Sequence, residues 1–143
     1  MSAGWLLDNS AWARLDLASL AEDRRREIAQ LLQAGRLHTS LPFLLEAGVS
    51  ARDFAEWAAM AHDFAALPEA PIDAVVERRA REAQHDLARV GLHRAVPVAD
   101  LLLAALAERH RLTLLHYDHD FDRLRQSTGL RFSSDWLAPA GSL

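Results

Sequence analysis

With 143 residues, half of them hydrophobic, and a net charge of −4, the chain is long enough to bury a real core as one domain over residues 1–143. It holds no cysteine and no lysine, all 16 basic residues being arginine. Disulfides, thiolate zinc sites, cysteine nucleophiles, a Walker A loop and a Schiff-base lysine are therefore excluded.

No apolar run approaches the ~20 residues of a membrane span, and the N-terminus lacks the basic region and cleavage site of a signal peptide. A soluble cytoplasmic protein is expected. No GxGxxG occurs, which argues against dinucleotide enzymes of the common kind. The acidic balance gives no global attraction for nucleic acid, so such binding would need a local basic groove or a metal.

In chain order, "GWLLD" (4–8) reads as a short strand ending in a carboxylate, and "NSAWARLDLA" (9–18) continues as a helix. "EDRRREIAQLLQAG" is a helix with acids in its first turn and Gly35 where it would stop. "RLHTS" makes a second strand, and "SLPFLLEAG" a short helix with Pro42 in its first turn and Gly48 at its end, placing Glu46 in apolar company. Two longer helices follow. The first is "SARDFAEWAAMAHDFAAL", opened by a Ser50/Asp53 capping pattern; the second is "IDAVVERRAREAQHDLARVG", set off by Pro68 and Pro71. A helix starting near Pro97, the strand "LTLLHYD", a helix over "HDFDRLRQSTG" and a last strand in "LRFSSDW" complete the series. This alternation predicts an α/β fold around a mainly parallel sheet of four to five strands.

In such sheets the functional crevice lies beyond the carboxyl ends of the strands, where Asp8 and Asp118 both stand. Each has a plainer explanation as the cap of the helix that follows, with Asp120 an alternative cap for the last helix. Asp100 is harder to explain. It heads "VPVADLLLAALAERH", a run apolar nearly all round until Glu108 and so destined for the core. A carboxylate there loses hydration and calls for a cationic neighbour.

Two carboxylates about 5 Å apart repel by ~3 kcal/mol at an effective dielectric of 20, so several in one crevice would keep at least one protonated unless a cation intervenes. Oxygen-only ligands favour Mg²⁺ or Mn²⁺, which activate water for in-line attack on a phosphodiester.

"LLDNSAW", "LPFLLEAG", "HRAVPVADLLLAALA" and "LTLLHYDHDFDRL" together resemble the four acidic motifs of PIN-domain ribonucleases, in particular VapC-type toxins of toxin–antitoxin pairs. The resemblance runs from residue 4 to about 126. It implies a PIN-like three-layer fold and an endoribonuclease dependent on Mg²⁺ or Mn²⁺, with Asp8, Glu46, Asp100 and Asp118 in the acidic positions. Asp8, Asp100 and Asp118 would hold metal. Asn9 and Ser10 match the supporting polar residues, Asp120 competes with Asp118 for the fourth position, and Arg94 in "HR" could touch phosphate. The resemblance also implies RNA as substrate, a small VapB-like antitoxin as partner and a homodimer.

The softer features have plain readings. Arg24, Arg25 and Arg26 form a run that is either a solvated helix face or a phosphate-contacting patch. His110, His116 and His119 suggest metal ligands by proximity alone. Three other functions compete with this one: a housekeeping PIN nuclease without antitoxin, a PIN-shaped binding module without catalysis, and a phosphoacceptor of the response-regulator kind. The last needs a lysine that this chain lacks. For the homodimer, Phe54, Trp57, Ala58 and Ala61 with Ile72, Val76 and Leu87 offer more apolar surface than a peripheral hairpin needs.

Overall fold

The computed structural model describes residues 4–143. Its elements are β1 (Trp5–Leu7), α1 (Asn9–Trp12), α2 (Glu22–Gln33), β2 (Leu37–His38), α3 (Leu41–Val49), α4 (Phe54–Phe64), α5 (Ala74–Arg89), α6 (Val98–His110), β3 (Thr113–His116), α7 (Asp120–Ser127) and β4 (Ser133–Trp136). All strand pairings are parallel, in the order β2-β1-β3-β4. A parallel sheet must be covered on both faces, and alternation along the strands divides the core accordingly. Leu6 and Leu114 pack with α5, α6 and α7 on one face; Leu7, Leu37 and Leu115 pack with α2, α3 and α4 on the other.

The order of strands fixes where a ligand can enter. From β1 the chain crosses to β2 on one side, and from β3 it crosses to β4 on the other. The direction of winding therefore reverses between β1 and β3, and their carboxyl ends flank a crevice. Because α6 leads directly into β3, it runs back along the sheet and sets its N-terminus at that same edge. Its interior is buried from Leu103 to Ala107, as an apolar crossover helix should be.

Three local expectations are corrected. The helix expected over 9–18 stops at Trp12, because the carbonyls of Leu15, Leu17 and Leu20 accept from the Arg25 guanidinium (3.2, 2.7 and 3.5 Å) instead of extending a helical ladder. Ser50 does not open α4. It caps the end of α3, its hydroxyl donating to the Ala47 carbonyl at 2.6 Å, while Asp53 caps α4 by accepting from Glu56 N at 2.8 Å. Gly48 lies within α3 and does not end it. A Cβ there would stand 2.9 Å from Trp57 Nε1, so the glycine serves the close approach of α4. Gly35, with φ of +68°, does follow the end of α2 as expected. Among the described residues no helix is long and apolar enough to cross a membrane.

Candidate metal centre

Asp8 follows β1 directly, and its carboxylate turns back to cap α1, accepting the Ser10 N–H at 3.0 Å and the Ser10 hydroxyl. The capping explanation is thus correct, and it fixes the rotamer without removing the acid from the crevice. The Ser10 hydroxyl in turn accepts the backbone N–H of Tyr117 at 2.8 Å, tying β1's end to β3's end. Beyond β3, Asp118 accepts the N–H of Asp120 at 2.9 Å, so it too organises the start of a helix. Asp100 enters from the first turn of α6.

Five elements, β1, α3, α6, β3 and α7, thus bring their acids to one place. Ligand-type oxygens of Asp8, Glu46 and Asp100 lie within 4.8 Å of one another, and so do those of Asp100, Asp118 and Asp120. Asp100 belongs to both groups and is their hinge. Asp8 and Asp100 are 3% and 5% exposed, and Asp100 Oδ2 is buried with no hydrogen-bond partner among the described residues. Glu46 stands exposed at the rim of the crevice, not buried in apolar company.

The electrostatics follow from burial and crowding. Burial, and then Asp8, Asp118, Asp120 and Glu46, push the Asp100 carboxyl up to about 8. Burial raises Asp8 as well, opposed by its Ser10 hydrogen bonds. Glu46 is raised by partial desolvation and then by Asp8 and Asp118. The cationic neighbour expected for Asp100 is not found: among the described residues no ion pair reaches Asp8, Glu46, Asp100 or Asp118, and only Asp120 has one, with Arg123 at 3.2 Å. An all-oxygen set around the buried Asp8 and Asp100, with an unpartnered carboxylate oxygen and no balancing ion pair at Asp100 among the described residues, fits a divalent cation.

The remaining sequence candidates separate. Asn9 opens α1 beside Asp8, and Arg94 sits exposed in the turn before α6. Arg24 is taken up by Glu27, Asp135 and the carbonyls of Trp136 and Leu137, and Arg25 and Arg26 by acids and carbonyls of their own neighbourhood. Arg24 and Arg25 thus brace the fold, while Arg26 stays on the solvated face of its helix. His116 is fully buried between Phe121 and Trp136 (centroids at 4.8 and 4.9 Å), and burial lowers its imidazole to about 4. Its Nδ1 accepts the Asp118 N–H at 3.2 Å, which makes it a support for the loop that carries Asp118. Sequence reasoning missed this role; the signal was a single histidine inside an apolar strand.

A doubly covered parallel sheet with a carboxylate cluster at its point of reversal defines an α/β protein whose clustered acids could hold a cation. Comparison with known proteins is more specific. The family model for the PIN domain matches residues 6–126. Ribonuclease VapC51 of Mycobacterium tuberculosis is 35% identical over 143 residues, covering all of this chain and 99% of that protein. Among solved structures, the VapBC-5 toxin–antitoxin complex of M. tuberculosis aligns with a TM-score of 0.61 at 26% identity, over 94% of this chain and 97% of that one. DNA-bound VapBC of Salmonella typhimurium gives a TM-score of 0.71 at 18% identity over 94% and 98%, a likeness of fold. The chain belongs to the PIN-domain family, among the VapC ribonucleases.

Proposed function

We propose that this protein is an endoribonuclease dependent on Mg²⁺ or Mn²⁺, acting as the toxin of a VapBC-like pair, with its active site at the acidic centre. The observation that carries this reading is Asp100: a buried carboxylate with an unpartnered oxygen, sharing ligand distance with Asp8 and Glu46 on one side and with Asp118 and Asp120 on the other. Asp8, Asp100 and Asp118 are assigned as the residues that hold the ion, with Asp120 able to replace or assist Asp118. When bound, the ion supplies Lewis acidity toward phosphate oxygens and makes water nucleophilic at neutral pH.

The chain's own groups supply the rest. Glu46, at the rim and with raised proton affinity, accepts the proton of the attacking water. Ser10 holds the Asp8 carboxylate in one orientation and registers it against the segment bearing Asp118.

Two partners complete the proposal. A small VapB-like antitoxin, a partner suggested by kinship with the VapBC-5 toxin–antitoxin complex of M. tuberculosis, covers the acidic centre. A second copy packs on the outer face of α3 and α4, where Val49 and Phe54 are 85% and 78% exposed and a groove of about 730 Å³ opens between the helices. By contrast Val76 and Leu87 of α5, which the sequence also offered for the dimer, are buried in the protein's own core. Purified protein incubated with single-stranded RNA should cleave it in Mn²⁺ and leave it intact in EDTA. Expression alone should arrest growth, and co-expression of the adjacent small reading frame should relieve it.

A further inference from the structure

A cleft of about 650 Å³ opens at the opposite edge of the sheet from the acidic centre, lined among others by Arg111 after α6, Arg125 of α7, and Arg131 and Ser133 at the start of β4. Its one lining carboxylate, Glu108, is already engaged. It accepts Arg79 Nε at 2.7 Å, Arg79 Nη2 at 3.1 Å and the backbone N–H of Arg131 at 2.6 Å. The Arg131 guanidinium is exposed and makes no hydrogen bond with a described residue, and Arg125 commits only Nη1, to Ser134 Oγ at 3.1 Å. The Arg125 and Arg131 guanidinium groups, with open N–H donors in a polar cleft, suit phosphate oxygens, which the planar fork can bind through two bonds at once. In a chain of net charge −4, such a surplus of positive charge stands out as a place to hold a polyanion.

A surface joins the cleft to the acidic centre. The helix α7 starts at Asp120, a member of the acid cluster, and carries Arg125 in its last turn; eight residues span roughly 12 Å. The edge strand β4 runs beside it, and the Arg125–Ser134 bond bridges the two. At the acidic end the exposed ring of His119, held edge-on to Trp136 with centroids 4.9 Å apart, is of the kind on which single-stranded bases stack. Of the acids along this surface, Asp135 pairs with Arg24 at 2.9 Å and Asp120 with Arg123 at 3.2 Å.

We propose that this cleft binds the phosphodiester backbone of the RNA substrate a few nucleotides from the scissile bond, the strand running over α7 and β4 between the two sites. The identity of the polyanion rests on the nuclease reading above; the cleft itself does not. The test is fluorescence anisotropy of a labelled single-stranded RNA with the full chain in EDTA, so that binding is read without cleavage. Arg125→Glu with Arg131→Glu should weaken binding about tenfold or more, and should flatten the dependence of log affinity on log salt by ~1.4, the value for two lost phosphate contacts on a single strand. Arg125→Gln with Arg131→Gln should weaken it in the same direction by less. The control, Arg26→Glu with Arg89→Glu, both exposed and outside the cleft, makes the same change in net charge and should cost less than about twofold. Equal losses in cleft and control variants, or no loss in the cleft variants, would overturn the proposal. With Mn²⁺ added, the cleft variants should raise KM and spare kcat. Wild-type protein that binds RNA through the cleft but never cleaves it would instead count against the nuclease reading.

Discussion

The hydroxyl of Ser10 accepts the backbone N–H of Tyr117 at 2.8 Å while donating to the Asp8 carboxylate, so one side chain joins the ends of β1 and β3 at the point where the acids meet. Removing it strands the Tyr117 N–H and loosens Asp8. Ser10→Ala should lower stability by about 1–3 kcal/mol in urea denaturation, the usual cost of an orphaned partner in a sheltered site. It should also weaken Mn²⁺ binding. A variant as stable as the parent, with unchanged Mn²⁺ affinity, would show that the bond positions nothing.

Asp100 makes stability fall with rising pH. Its carboxyl is raised in the fold to about 8 from an ordinary value of 3.8, so between those values the folded state keeps a proton that the unfolded state gives up. The stabilising contribution is complete below about pH 4 and is lost as pH rises through 8. Asp100→Asn removes that dependence, and without metal the variant should melt higher than the parent at pH 8.5. A lower melting temperature for the variant at that pH would contradict the crowding of the acids.

The same proton governs cation binding. A ligand carboxylate must be unprotonated, so Mn²⁺ should raise the melting temperature more at pH 8.5 than at pH 6, and binding at pH 6–7 should release protons. Calorimetry in buffers of different ionisation enthalpy measures the release. A metal-induced shift independent of pH would exclude Asp100 as a ligand.

His116 acts in the other direction. Its imidazole, lowered by burial to about 4, stays neutral in the fold while an unfolded histidine charges near 6.5. Stability from this group is whole above pH 6.5 and declines as pH falls toward 4. The imidazole resonances of His116 should show no titration between pH 5.5 and 7.5. A midpoint inside that range would mean that the ring between Phe121 and Trp136 is open to water.

Much of this was legible in the sequence because it is local. The strands were marked by short apolar runs, the end of α2 by Gly35, and the axis of the core by the apolar stretch after Asp100. The acids at the strand ends were legible through the reversal expected of a parallel sheet. What the sequence hid was long-range. The shortening of α1 depends on Arg25 reaching back to the carbonyls of Leu15 to Leu20. Glu46 is exposed because its helix turns its apolar side to Trp12 and Phe64 through Phe43, leaving the acid at the rim. The absence of a cationic side chain beside Asp100 among the described residues, and the commitment of Arg24 to Asp135 far along the chain, could be known only once the chain had closed on itself.

The apolar outer face of α3 and α4 should be the dimer contact. Val49→Asp with Phe54→Asp, both at exposed positions, should leave the fold and its melting temperature intact while halving the mass seen by light scattering. A parent protein that already runs at the mass of one chain at every concentration would remove the dimer from the account.

The most direct measurement is cleavage of a labelled single-stranded RNA by the parent protein and by Asp8→Asn and Asp100→Asn, each with Mn²⁺ and with EDTA, on samples shown by melting to be folded. The account predicts cleavage by the parent in Mn²⁺ alone and a loss of at least about a hundredfold in each variant. Cleavage that persists in EDTA, or an Asp100→Asn variant that cuts as fast as the parent, would contradict it.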